Sequence, residues 1–272
     1  MNIKSIFNTN KPVIGAIHFM PLIGYKEFKG LETTLEKALN DLGAIEDGGA
    51  DAIIIENNYD LPHKVNVGPE TVAAMTYLGL EIRKRTELPI GVSVLWNDYK
   101  AALSIAKVIS GEFIRVPVFV DNVVTDFGEI NAKPTEVVNY RKSIGCENIS
   151  LFTDIHVKHA MMLEDKTLTE SAKEAEENRA DALIVTGSWT GKAPLGTDIE
   201  EVKKVTSLPV IIGSGLDPKN ASLLFKYADG AIVSTSIKDG EAEENNRNIK
   251  PYDRRINKNK VEELMKEINK LR

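Results

Sequence analysis

The run Asp-Ile-His-Val-Lys-His (154–159) places four ionisable side chains within six residues. Side chains alternate along an extended strand, so Asp154, His156 and Lys158 are expected on one face. Asp154 can orient or charge His156 for general acid–base work, and a desolvated Lys158 can serve as base, electrostatic clamp or Schiff-base nucleophile. His159 reads as a hydrogen-bonded structural residue. Glu56 finishes the apolar run Ala-Ile-Ile-Ile-Glu (52–56). A carboxylate there is costly unless it is paired or reaches solvent, which makes it a candidate catalytic group. Arg115, in Phe-Ile-Arg-Val (113–116), is its expected ion-pair partner, and such a pair can still contact substrate. His18, Asn97 and Lys192 join Arg115 as candidate substrate-binding residues.

A second group of residues suits an anion. Ile-Ile-Gly-Ser-Gly-Leu-Asp-Pro (211–218) is followed by Ala-Ile-Val-Ser-Thr-Ser (231–236). Glycines let backbone N–H groups approach an anion, hydroxyls add donors, and a helix N-terminus adds positive dipole. Gly213, Ser214, Gly215, Ser234, Thr235 and Ser236, with Ser188 from an earlier loop, therefore form a predicted phosphate cradle that needs no arginine. The alternative is that Gly213 and Gly215 only permit tight turns, which leaves the Ser-Thr-Ser cluster unexplained. With a cradle, Gly215→Asp is expected to abolish binding of phosphorylated ligands and, if a Cβ is tolerated there, to spare the fold. The loop Thr-Gly-Ser-Trp-Thr-Gly-Lys-Ala-Pro (186–194) reads as a substrate cover, with Lys192 for an anionic group and Trp189 for a ring. Its Gly-Lys lacks the spacing of a nucleotide-binding P-loop.

His18, Glu56, Asp154 and His156 would also make an N/O ligand set for a divalent ion. No His-x-His or His-Glu-x-x-His pattern supports it. No metal ligand is assigned, no cofactor is required, and a divalent metal is left open.

Eight apolar runs of strand length supply the elements that must hold these groups: Val13–Ile17, Ala52–Ile55, Ile90–Leu95, Phe113–Val116, Ile149–Ile155, Ala182–Thr186, Val210–Ile212 and Ala231–Val233. Between them lie patterns of helical period, such as Leu35, Leu39, Leu42 and Ile45, or Val72, Met75, Leu78 and Ile82. Asp98 is the expected N-cap of a helix over Tyr99–Ile109, and Asp217-Pro218 places a cap and then proline at a helix start. Strands without alternation are buried on both faces, and eight βα units of roughly 34 residues fit an α/β protein with one (β/α)8 TIM-barrel domain over residues 1–272. An open doubly wound sheet would show Gly-x-Gly-x-x-Gly after the first strand, which is missing. The charged stretch Lys238–Asn259 reads as a solvated loop on the catalytic face before a last helix, Lys260–Leu271.

Composition narrows the class. Lys and Arg number 34 against 40 Asp and Glu, a net charge of −6, so no basic footprint for nucleic acid or an anionic bilayer is present. The longest charge-free stretch, Pro12–Tyr25, is too short and too broken by Pro and Gly to span a membrane. Cys146 is the one cysteine, which excludes an intramolecular disulfide, and the expected location is the cytoplasm. The expected partner is a phosphorylated small molecule, and homo-oligomerisation stays open.

These motifs together resemble the BtpA/SgcQ family. The likeness runs through Lys-Pro-Val-Ile-Gly-Ala-Ile-His (11–18), Val-Gly-Pro-Glu-Thr-Val-Ala-Ala-Met (67–75), Asp-Ile-His-Val-Lys-His-Ala (154–160), Val-Thr-Gly-Ser-Trp-Thr-Gly-Lys (185–192) and the Gly-Ser-Gly turn to Ser-Thr-Ser. It implies a TIM barrel, and either photosystem I biogenesis or a nucleosidase or sugar-metabolising activity. Trp189, where a small residue is expected, and a longer charged segment at 241–255 are departures on substrate-facing loops. The residues themselves point to an enzyme for a phosphorylated sugar or phosphoribosyl compound, acting by N-glycosidic hydrolysis or transfer. An aldolase or isomerase using Lys158, a metal-dependent hydrolase, and a non-catalytic assembly factor for a membrane complex are the alternatives.

Overall fold

The protein is described by a computed structural model covering residues 3–187, 191–240 and 252–272. After a short helix α1 (Lys4–Phe7), β1 (Val13–His18), α2 (Leu31–Asp47), β2 (Ala52–Glu56), α3 (Pro69–Arg83), β3 (Ile90–Ser93), α4 (Tyr99–Ile109) and β4 (Phe113–Val116) follow in strict alternation. Then come β5 (Val123–Thr125), β6 (Gly128–Ile130), α5 (Pro134–Ser143), β7 (Ser150–Ile155), β8 (Ala160–Met162), α6 (Leu168–Glu177), β9 (Ala182–Val185), α7 (Gly196–Val205), β10 (Val210–Ile212), α8 (Ala221–Leu224), β11 (Gly230–Val233) and α9 (Lys258–Ile268). Eight parallel strands close in the order β1-β11-β10-β9-β7-β4-β3-β2, so the chain is a (β/α)8 TIM barrel.

All eight expected strands form, with ends within two residues of those read from the apolar runs. Alternation divides each between two cores. Ile14, Ala16, Ala52, Ile54, Phe113, Phe152, Ala182, Ile184, Ile211 and Ile232 fill the barrel interior, while the residues between them pack outward on the helices. Phe113 and Phe152 stack at 4.6 Å, and Phe7 of α1 meets both edge-on, closing the base. Gly91 makes room for that stack, since a Cβ there would lie 2.2 Å from the Phe113 ring.

The same parity continues to the upper strand ends, where His18, Glu56, Arg115, Asp154, Gly213 and Ser234 follow the interior residues at intervals of two. In the β1–β2 ladder His18 stands directly opposite Glu56. Four features depart from the sequence reading. β5, β6 and β8 form a separate antiparallel sheet; its side chains pack with Trp96, Val118 and Val157 as a third apolar cluster. The strand geometry stops at Ile155, because His156 takes φ +47°. Asp217 does accept hydrogen bonds from the N–H groups of Lys219 and Asn220, yet the regular helix starts only at Ala221. The polar N-terminus holds α1. The charged segment is tied at its ends by a bridge between Lys238 and Ile256; residues 241–251 lie outside those described. Among the described residues no helix is long and apolar enough to cross a membrane.

Candidate active site

A cavity of about 180 Å³ opens at the C-terminal end of the barrel, where enzymes of this architecture carry their sites. Its floor is built from β1, β2 and β4. His18 Nε2 lies 3.3 Å from Glu56 Oε2, and Arg115 Nη1 lies 3.5 Å from Glu56 Oε1. Arg115 donates in parallel to both oxygens of Asp154, at 2.8 Å each. These four side chains are nearly fully buried. Asp154 is thereby spent on the guanidinium, whereas Glu56 Oε1 accepts no hydrogen bond among the described residues.

Electrostatics make Glu56 a carboxylate. Burial alone would raise its pKa, but the hydrogen bond from His18 and the charges of Arg115 and Lys158 outweigh burial and hold it at about 2. Burial and the nearby Lys238 lower His18 to about 4, so its imidazole is neutral at pH 7 and partners Glu56 through Nε2–H, not as an imidazolium. Lys158 enters from the loop after β7, its backbone N–H held by Thr186 Oγ1 at 3.2 Å. Burial and the Arg115 charge lower its amine to about 8 against the pull of Glu56 and Asp154.

Two contrasting walls rise from this floor. One carries Gly213, Ser214, Gly215, Ser234, Thr235 and Ser236, all lining the cavity. The hydroxyls of Ser234, Thr235 and Ser236 make no hydrogen bond to a described residue, and Ser234 Oγ is buried in that state. Ser214 differs, for its hydroxyl accepts from Gly187 N–H at 3.0 Å and donates to Lys192 O at 2.8 Å, latching the sixth loop to the seventh. The opposite wall is apolar and aromatic, with Leu61, His63, Leu95, Trp96, Phe127 and Val157. His63 packs edge-on to Phe127 at 5.1 Å, and burial lowers its pKa to about 4.

The structure thus brings together His18, Glu56, Arg115, Lys158 and the six described cradle residues. It does not bring His156 to them. With β7 ended and φ +47°, His156 is absent from the cavity wall, while its backbone N–H donates to Asp121 Oδ2 at 2.9 Å. His159, expected to be structural, is among the residues that line the cavity. Asn97 uses its amide on both backbone groups of Val118, and the side chain of Lys192 is exposed outside the cavity wall. Ser188 and Trp189 lie outside the described residues. The proposed ligand set of His18, Glu56, Asp154 and His156 does not converge, and no cluster of three His, Cys, Asp or Glu suited to a metal occurs among the described residues. Sequence reasoning missed His63, Trp96 and Phe127, and also Lys238, whose Nζ is 3.1 Å from His18 Nδ1.

Comparison with known proteins gives the following. The family model described as BtpA family matches residues 9–270. An uncharacterized protein of Archaeoglobus fulgidus is 41% identical over 230 residues, covering 85% of this chain and 92% of that one. The photosystem I biogenesis protein BtpA of Synechocystis is 36% identical over 242 residues, covering 88% and 84%. Among solved structures, (S)-3-O-geranylgeranylglyceryl phosphate synthase from Thermoplasma acidophilum, in complex with sn-glycerol-1-phosphate, superposes with a TM-score of 0.63 at 14% identity over 99% of both chains. That likeness is one of fold.

Proposed function

The chain belongs to the BtpA family, and from the chemistry of its barrel mouth we propose that it is an enzyme for a phosphorylated sugar or phosphoribosyl compound, cleaving or transferring at an N-glycosidic carbon. One observation carries the reading: a single cavity has Ser234, Thr235 and Ser236 on one wall, the Ser234 hydroxyl unpartnered, and on its floor an ionised Glu56 whose Oε1 accepts no hydrogen bond among the described residues. The hydroxyl wall suits phosphate, and the Thermoplasma neighbour, which holds a glycerol phosphate, supports that use of the fold. Glu56, fixed by His18 and Arg115, stabilises positive charge developing at the sugar carbon. Lys158 delivers a proton to the departing nitrogen as the C–N bond breaks, and water, or an acceptor hydroxyl in transfer, bonds to the sugar carbon in its place and returns a proton to Lys158. The aromatic wall at Trp96 and Phe127 seats a planar leaving group.

A second reading is favoured by one feature: the Lys158 amine lines the cavity with its pKa lowered to about 8, as a Schiff-base nucleophile requires. Incubation with adenosine and uridine 5′-monophosphates, with chromatography of the released base and a borohydride trap in parallel, decides between the two. The proposal expects base release, reduced about 100-fold or more in Glu56→Gln, and an unmodified Lys158. A trapped adduct on Lys158 with a sugar phosphate would establish the second reading. A chain serving in assembly alone, the role named for the Synechocystis relative, would release no base and would tolerate Glu56→Gln in complementation.

A further inference from the structure

Lys238 is a long cationic side chain with 1% of its surface exposed. It follows a 3-10 turn, Thr235–Ile237, that leads directly out of the hydroxyl wall. Its backbone is clamped from both sides, by the bridge to Ile256 and by Lys260 Nζ, which donates to Lys238 O at 2.7 Å. Its Nζ lies 3.1 Å from His18 Nδ1, donates to Tyr59 Oη at 3.3 Å, and lies 5.7 Å from the centre of the Tyr59 ring. Among the described residues no carboxylate is within ion-pair distance of it. The nearby Asp41 is already bound to Lys37 at 2.6 Å and to Ile256 N–H at 2.9 Å.

We infer that Lys238 is a positioning residue for Glu56, acting through His18: by donating to Nδ1 it fixes the neutral imidazole with its proton on Nε2, aimed at the carboxylate. The chemistry leaves little choice. An ammonium has donors alone, so the nitrogen facing it must carry a lone pair. A neutral amine can also accept from an Nδ1–H, and in that form it is Glu56, facing the other nitrogen, that selects the tautomer. The reverse tautomer would set an imidazole lone pair against Glu56 Oε2 at 3.3 Å. The consequence is that His18 cannot take a second proton while Lys238 occupies Nδ1, so Glu56 keeps its negative charge instead of being neutralised by an imidazolium. Charged or titratable groups facing this cluster are Lys37, Asp41, Glu56, Tyr59 and Arg254, with Tyr252 against Tyr59. Burial together with Lys37 pushes the Lys238 amine down to about 7.

The catalytic consequence rests on the role given to Glu56 above, whereas the tautomer does not, so the test reads the imidazole itself. Long-range ¹H–¹⁵N NMR of the four histidines should show His18 as the Nε2–H tautomer, uncharged throughout the neutral range. Lys238→Met should raise the His18 pKa by about two units or more, and Lys238→Arg, which keeps a donor, should hold it near the wild-type value. Unchanged signals from His63, His156 and His159 report an intact fold. An Nδ1–H or doubly protonated His18 in the wild type overturns the inference without any variant, and so does identical His18 titration in wild type and Lys238→Met. A correct tautomer in a protein that releases no base would leave this inference standing and remove the proposed reaction alone.

Discussion

Two buried carboxylates share one guanidinium, and the sharing is unequal. Asp154 holds Nε and Nη2 of Arg115 at 2.8 Å, while Glu56 Oε1 meets Nη1 only at 3.5 Å and accepts no hydrogen bond among the described residues. Asp154 is therefore an anchor and Glu56 the carboxylate to which the proposed reaction is assigned, a division that strand-end position alone did not reveal. Asp154→Asn should cost about 3–5 kcal/mol in urea unfolding, because the buried Arg115 loses its bidentate partner. Lys158 gives a pH signature. Its ammonium form is the proton donor, so turnover should fall as pH rises through about 8, and Lys158→Arg should remove that alkaline limb from the pH–rate profile. Strand parity, counted upward from the interior residues, would have found the floor from sequence: Ile14, Ala16, His18 and Phe113, Arg115 share one phase. The same count failed at His156, because a left-handed residue ends the alternation and nothing in its type announces that.

At the level of elements, the barrel was legible because each strand is a run of buried apolar residues set off by turns. The three-stranded sheet was not. Val123–Thr125, Gly128–Ile130 and Ala160–Met162 are three residues each, too short to show a period, and the third joins the first two across more than thirty positions. With that sheet went the aromatic wall it supports. The glycines of the cradle carry a correction of their own. Gly215 has φ +68°, and a Cβ there would stand 2.1 Å from Ala193 N, so Gly215→Asp would displace the sixth loop and cannot serve as a clean test of anion binding. At Gly213 a Cβ would stand 2.5 Å from the Ile184 side chain, so both glycines have a packing reason of their own, and the test of anion binding moves onto the hydroxyls of Ser234, Thr235 and Ser236. The latch through Ser214 makes its own prediction. Ser214→Ala strands Gly187 N–H and Lys192 O, so it should destabilise by about 1–3 kcal/mol and speed proteolysis within residues 186–194.

Across the whole molecule, closure of one end concentrates chemistry at the other. Phe7, Phe113 and Phe152 seal the base. Ionisable groups inside the barrel collect at the mouth, where burial and mutual pairing set Glu56, His18 and Lys158 to different protonation behaviour. The net charge of −6 gives no general attraction for an anionic substrate, so recognition of a phosphate must come from local donors. Calorimetric titration of ribose 5-phosphate and of ribose, against the wild type and Ser234→Asp, addresses this directly, with circular dichroism to confirm folding. Ribose 5-phosphate should bind the wild type at least about tenfold more tightly than ribose, and Ser234→Asp, which puts a carboxylate where the phosphate would sit, should erase that difference. Equal affinity for the two sugars in the wild type, or a phosphate preference that survives in a folded Ser234→Asp protein, would contradict the phosphorylated-substrate account.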